Sequence, residues 1–174
     1  LIGMPVLKLH FPEDLASTEN VEDLLLQVNK DPAANFKSRD EWMRTLLRNY
    51  AVASMNSLRR WETTRYLITL TGQAHVPTLK FWEGDVEALD DGEEGMLLSI
   101  TIGKLQYDYL KTCVAWENTY QREILKSNVE YKDVAALARN TILNALLQAQ
   151  AQVDEERLKE EEREILKEKQ AKEP

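Results

Sequence analysis

Apolar side chains recur every three or four positions over most of this chain, the period of an amphipathic helix. The pattern is strongest over residues 38–71, where Trp42, Leu46, Leu47, Tyr50, Ala51, Met55, Leu58, Trp61, Tyr66, Leu67 and Leu70 form a continuous stripe. Ser38-Arg39-Asp40-Glu41 reads as a capping box at its start, and Gly72 supplies a stop. A helix of that length spans about 50 Å at 1.5 Å per residue.

Residues 93–126 carry two rows. One runs Leu98, Ile102, Leu105, Tyr109, Cys113, Trp116, Tyr120, Ile124; the other runs Leu97, Ile100, Tyr107, Leu110, Val114. The rows lie on different faces, as burial on two sides of a central bundle helix requires. Leu98-Ser99-Ile100-Thr101-Ile102 also alternates with period two, is rich in β-branched residues and precedes Gly103, which is a strand signature. The unbroken spacing into Trp116 and Tyr120 favours helix throughout.

Residues 129–153 are expected to form a third helix, with a stripe at Val134, Leu137, Ala138, Thr141, Ile142, Ala145, Leu146, Ala149 and Val153 and with Ser127-Asn128 as the break before it. A shorter helix is expected earlier: Ser17 or Thr18 caps it, Val21, Leu24, Leu25 and Val28 face inward, and Asp31-Pro32 ends it. Two segments alternate instead, Val6–Phe11 and Val76–Trp82, and are expected to pair as a small ribbon leaning on the helices. Pro77 confines its strand to an edge or to the strand's start.

The expected fold is therefore mainly α: an antiparallel bundle of three long helices with a short N-terminal helix, a minor extended ribbon and a charged C-terminal helical arm. Residues 1–153 form the bundle and 154–174 the arm. The arm holds nine acids and six bases, with Leu158, Ile165 and Leu166 as its only large apolar groups. Glu155–Lys159 and Glu168–Lys172 stand four apart in the favourable order. Either a frayed charged tail or a helix that docks on a partner fits this composition.

Composition narrows the class. A single cysteine, Cys113, excludes an intrachain disulfide framework and a multi-thiolate zinc site. No apolar run reaches the ~18 residues of a membrane-spanning helix. No basic segment followed by an apolar stretch opens the chain, so no signal peptide is expected; the expected setting is cytoplasmic or another intracellular compartment. Six Gly and five Pro are too few for a turn-rich β-sandwich.

Candidate chemistry is sparse. In the acidic loop 83–95, placing Gly92 at position six of an EF-hand puts Leu89 and Leu98 where ligands belong, so that register fails. Asp90, Asp91, Glu93 and Glu94 are then expected to favour the start of the next helix through its dipole; a weak cation site is the other reading. His10 and His75 become neighbours only if the two extended segments pair. No phosphate loop, HExxH or GxSxG motif occurs. Cys113 lies on a core row, where an inert buried thiol is expected. Trp42, Tyr50, Trp61, Tyr66, Trp116 and Tyr120 read as bundle core before they read as an aromatic cage. No catalytic set, metal or cofactor is expected.

Charge adds the sharpest feature. The chain carries net −8, yet 38–71 carries net +3, through Arg39, Arg44, Arg48, Arg59, Arg60 and Arg65 against Asp40, Glu41 and Glu62. The arm carries −3. Arginine suits bidentate pairing with carboxylate or phosphate. Arg44, Arg48, Arg59, Arg60 and Arg65 are thus candidate contacts to acidic groups of this chain, of a protein partner, or to phosphate. The function expected is a non-catalytic helical subunit or adaptor that assembles with itself or a larger complex; the alternative is a nucleic-acid-associated coat or packaging subunit. No small-molecule substrate is evident.

Overall fold

The computed structural model describes residues 4–71, 89–90 and 93–173; for residues 58, 61–71 and 89–90 it describes the backbone alone. The order of elements is β1 (Val6–Phe11), α1 (Glu13–Ala16), α2 (Thr18–Val28), α3 (Arg39–Thr71), β2 (Leu89–Asp90), β3 (Met96–Thr101), α4 (Lys104–Glu123) and α5 (Val134–Lys172). The protein is mainly helical, with an antiparallel ribbon and a long C-terminal helix.

The first strand stands where alternation placed it, but its long partner does not. β1 pairs antiparallel with β3, setting Leu7 opposite Ile100 and Leu9 opposite Leu98. β2 adds two residues, parallel, on the other edge of β1. Residues 96–101 are therefore strand, which corrects the helix expected from residue 93. The spacing misled because Leu98 to Ile102 is one helical step of four and equally two strand alternations. Burial separates the two cases: Leu98, Ile100 and Ile102 are inward while Leu97, Ser99 and Thr101 are exposed, a period of two. Accordingly Glu93 and Glu94 precede a strand, and the helix-dipole role expected for them does not arise. The segment 76–82, His75 and most of the acidic loop lie outside the described residues.

α2 starts where expected. The Ser17 hydroxyl accepts from the Asn20 amide at 3.3 Å, and Val21 and Leu24 are buried. α3 has its serine cap too, Ser38 Oγ accepting from Glu41 N at 3.2 Å. The reciprocal bond of the box is displaced by one residue: Glu41 Oε2 accepts from Lys37 N at 2.8 Å.

α5 begins at Val134, the first residue of the stripe, which corrects the helix expected from residue 129. Asp133 caps it, its carboxylate accepting from Ala136 N at 2.9 Å. The residues before it are held extended. Asn118 of α4 donates to Tyr131 O at 2.9 Å and accepts from Tyr131 N at 2.8 Å, a two-way bond that satisfies this backbone without helix.

The core lies between the ribbon and the helices. Leu7, Leu9, Phe11, Met43, Leu47, Leu110, Leu137, Ile142 and Leu146 are among its fully buried members. The ribbon is fixed to α5 by Arg139, whose Nε donates to His10 O at 2.8 Å. Trp42 and Leu46, early in α3, share a hollow with Ala145, Ala149 and Gln152 of α5.

Candidate interaction surface

The arginine row of α3 opens onto a groove. Arg48, Val52, Met55 and Arg59 follow one another at steps of four, three and four, so they share one face of the helix. Opposite them stand Leu105, Gln106 and Tyr109 of α4, and together these residues line a groove of about 610 Å³. Its floor is apolar and open to water: Val52 is 57% exposed and Leu105 66% exposed. The two arginines stand at its ends, about 16 Å apart along the helix axis at 1.5 Å per residue.

Two bonds fix α3 to α4 beside the groove. Gln106 Nε2 donates to the Arg44 carbonyl at 3.2 Å. Tyr50 donates its hydroxyl hydrogen to Glu117 Oε1 at 2.8 Å. The second bond belongs to a polar patch behind the groove that includes Ser54, Cys113, Glu117 and Tyr131. Burial, then the bond to Glu117, pushes the Tyr50 hydroxyl far above the usual phenol range. Burial also raises Tyr131, with the Glu117 charge adding to it and the bond from Asn140 opposing. Burial raises the Cys113 thiol, Ser54 opposes and Glu117 adds. The thiol is thus kept protonated, the reverse of what activates a nucleophile. The Ser54 hydroxyl lies near enough to affect the thiol but makes no well-formed hydrogen bond among the described residues.

The structure brings two of the five singled-out arginines, Arg48 and Arg59, to one groove. Arg44 is exposed one turn before Arg48, and Arg60 is exposed beside Arg59. Arg65 lies in the last turns of α3, where its side chain is outside the described residues. The groove's second wall was not foreseen. By spacing alone Leu105 and Tyr109 read as core, because they continue the row into Cys113 and Trp116, which are buried. The signal that separates them is the helix start: α4 begins only at Lys104, so Leu105 and Tyr109 lie in its first turns. Of the aromatic residues, Trp42 and Trp116 are buried, and the Trp116 and Tyr120 rings pack 5.6 Å apart. That is ordinary core packing.

The second surface is α5 itself. From Asp154 to Glu173 every residue is exposed. Leu158, Ile165 and Leu166 are each more than half exposed, and steps of seven and eight place them on one face. Among the described residues, the bonds from this stretch to the rest of the fold are made at its beginning. Glu156 accepts from Lys30 Nζ at 2.7 Å and from Gln27 Nε2 at 3.1 Å, and the pair of bonds holds its carboxyl below the usual carboxylate range. Within the arm, Glu155 and Lys159 pair at 3.1 Å.

Among the described residues, no three His, Cys, Asp or Glu side chains gather as a metal site, and no helix is long and apolar enough to cross a membrane. Compared with known protein families, with curated proteins and with solved structures, the chain matches none.

Proposed function

We propose that this protein is a helical assembly subunit, a structural or adaptor component that works by binding a second copy of itself or another protein. The observation that carries the reading is the free length of α5. A stretch of about 28 Å, from Asp154 to Lys172, continues the helix past the core with an apolar seam in water. Most helical stability in proteins comes from packing an apolar face, which this stretch does not do, and surface ion pairs such as Glu155–Lys159 add only about 0.3–0.5 kcal/mol each. A partner that covers Leu158, Ile165 and Leu166 supplies what the arm lacks.

The phosphate-binding alternative draws on Arg48 and Arg59, both exposed on one face. The surface between them favours protein instead: it is largely apolar, Val52, Met55 and Leu105 give a phosphate backbone nothing to bond, and Asn56, Gln106 and Tyr109 are its few uncharged polar groups.

Light scattering on the full chain and on a chain ending at Val153 tests the proposal. The full chain is expected to exceed the mass of one copy at micromolar concentration, alone or with its partner, and the shortened chain to lose that excess. A full chain that stays monomeric and captures no protein overturns the reading. Steep weakening of nucleic-acid binding with salt, linear in log salt, would move the assignment to the alternative.

A further inference from the structure

We infer that the groove between α3 and α4 is the receptor for the α5 arm of a second copy of this chain, an inference that rests on the assembly reading above. Charge and shape point the same way. The groove presents an apolar floor bracketed by Arg48 and Arg59. The arm presents the complement: Leu158, Ile165 and Leu166 along one face, with Glu161 and Glu162 between them in sequence and beside them on the helix. Leu158 and Ile165 are about 10 Å apart along the axis, inside the roughly 16 Å between the two arginines. The segment from Ser38 to Thr71 carries +3 and the arm −3, so each is attracted to the other and repelled by its own kind.

The occupant comes from another copy because the chain's own arm leads elsewhere. α5 meets the start of α3, at Trp42 and Leu46, through Ala145 to Gln152. It is then fastened to α2 through Glu156 and Lys30. Its continuation departs from there as unbroken helix, and reaching Arg48–Arg59 of the same chain would require breaking it. Two copies exchanging arms form a closed pair, each contributing one groove and one arm.

Charge reversal tests this in the full chain, with circular dichroism confirming that each variant keeps its helix. The double variant Arg48→Glu/Arg59→Glu is expected to weaken self-association about tenfold or more, since the groove then carries the same sign of charge as the arm. Glu161→Arg/Glu162→Arg is expected to weaken it similarly. Mixing the two variants is expected to restore a mixed complex, because the arm of one then matches the groove of the other. If the full chain associates and the chain ending at Val153 does not, while Arg48→Glu/Arg59→Glu associates as the parent does, the groove is not the receptor although the assembly reading stands. If the full chain never associates with itself, this inference falls; if it also captures no protein, the assembly reading falls with it.

Discussion

Gly95 shows how tightly one residue is fixed by its neighbours. Its φ is +130°, and a Cβ built there would lie 2.4 Å from the Phe11 carbonyl oxygen. The chain turns here into β3 at the point where Met96 pairs with Phe11, so backbone meets backbone with no flexible side chain to yield. Gly95→Ala is expected to destabilise the protein by about 2–3 kcal/mol, combining left-handed strain with the displaced strand end. Urea unfolding would measure it; a change under about 0.5 kcal/mol would show that the ribbon end adjusts freely. Tyr50 makes a residue-scale prediction about pH. Its folded-state pKa is raised above the unfolded value of about 10. The stabilisation this represents is therefore complete below about pH 10 and is lost as pH rises, because the unfolded chain ionises first. Tyr131 and Cys113 are raised in the same sense. Stability should begin to fall above about pH 9, where an unfolded cysteine ionises, and fall more steeply above about pH 10, where unfolded tyrosines do. Tyr50→Phe should make that fall shallower while lowering neutral-pH stability by about 1 kcal/mol through the lost bond to Glu117. An unchanged alkaline slope in Tyr50→Phe would remove Tyr50 as its source.

Among the elements, the helices were readable in the sequence wherever a cap and a stripe agreed. Ser17 and Ser38 mark their helices, and Val21, Leu24, Trp42 and Leu47 are buried as their spacing implies. The failures come from ambiguities of number and of partner. The interval from Leu98 to Ile102 satisfies helix and strand alike, and only the pairing of Leu98 with Leu9 and of Ile100 with Leu7 decides it. That contact lies about ninety positions away in sequence, beyond any local window. The start of α5 failed for a related reason. Asp133 is a cap signal, but Val129 and Tyr131 continue the apolar count before it. What keeps them extended is the side-chain amide of Asn118, another distant partner. Met43 is fully buried although it sits beside the stripe through Trp42, because the core reaches this end of α3 over a wider arc than one row. The arginine half of the groove was legible as a run of like charge at helical spacing. Its apolar half was not, because an exposed Leu105 and a buried Cys113 belong to the same row and differ only in what lies above them.

At the scale of the whole molecule, the uneven charge and the uneven burial coincide. The net −8 divides into a basic α3 segment, an acidic arm and a strongly acidic remainder, so copies repel in most orientations and the basic segment and the arm are the parts with opposite charge. The core stops near Ala149 and Val153, while helix continues for a further 19 residues to Lys172. A segment of that kind can bury its apolar seam by association, and association leaves a thermodynamic trace that needs no knowledge of the contact. Binding of the folded state alone raises the melting temperature with protein concentration. The full chain is therefore expected to melt at temperatures that climb over a hundredfold concentration range, by an amount that shrinks as salt screens the arm from the groove. The chain ending at Val153 should melt at one temperature throughout, near that of the dilute full chain, because the arm packs on none of the buried core. Differential scanning calorimetry across that range distinguishes the cases. A melting temperature independent of concentration in the full chain would mean that the exposed seam of α5 does not mediate self-association. A shortened chain that melts far below the dilute parent would mean that the arm stabilises its own bundle, through the contact of Glu156 with Lys30 and Gln27, more than it serves a second copy.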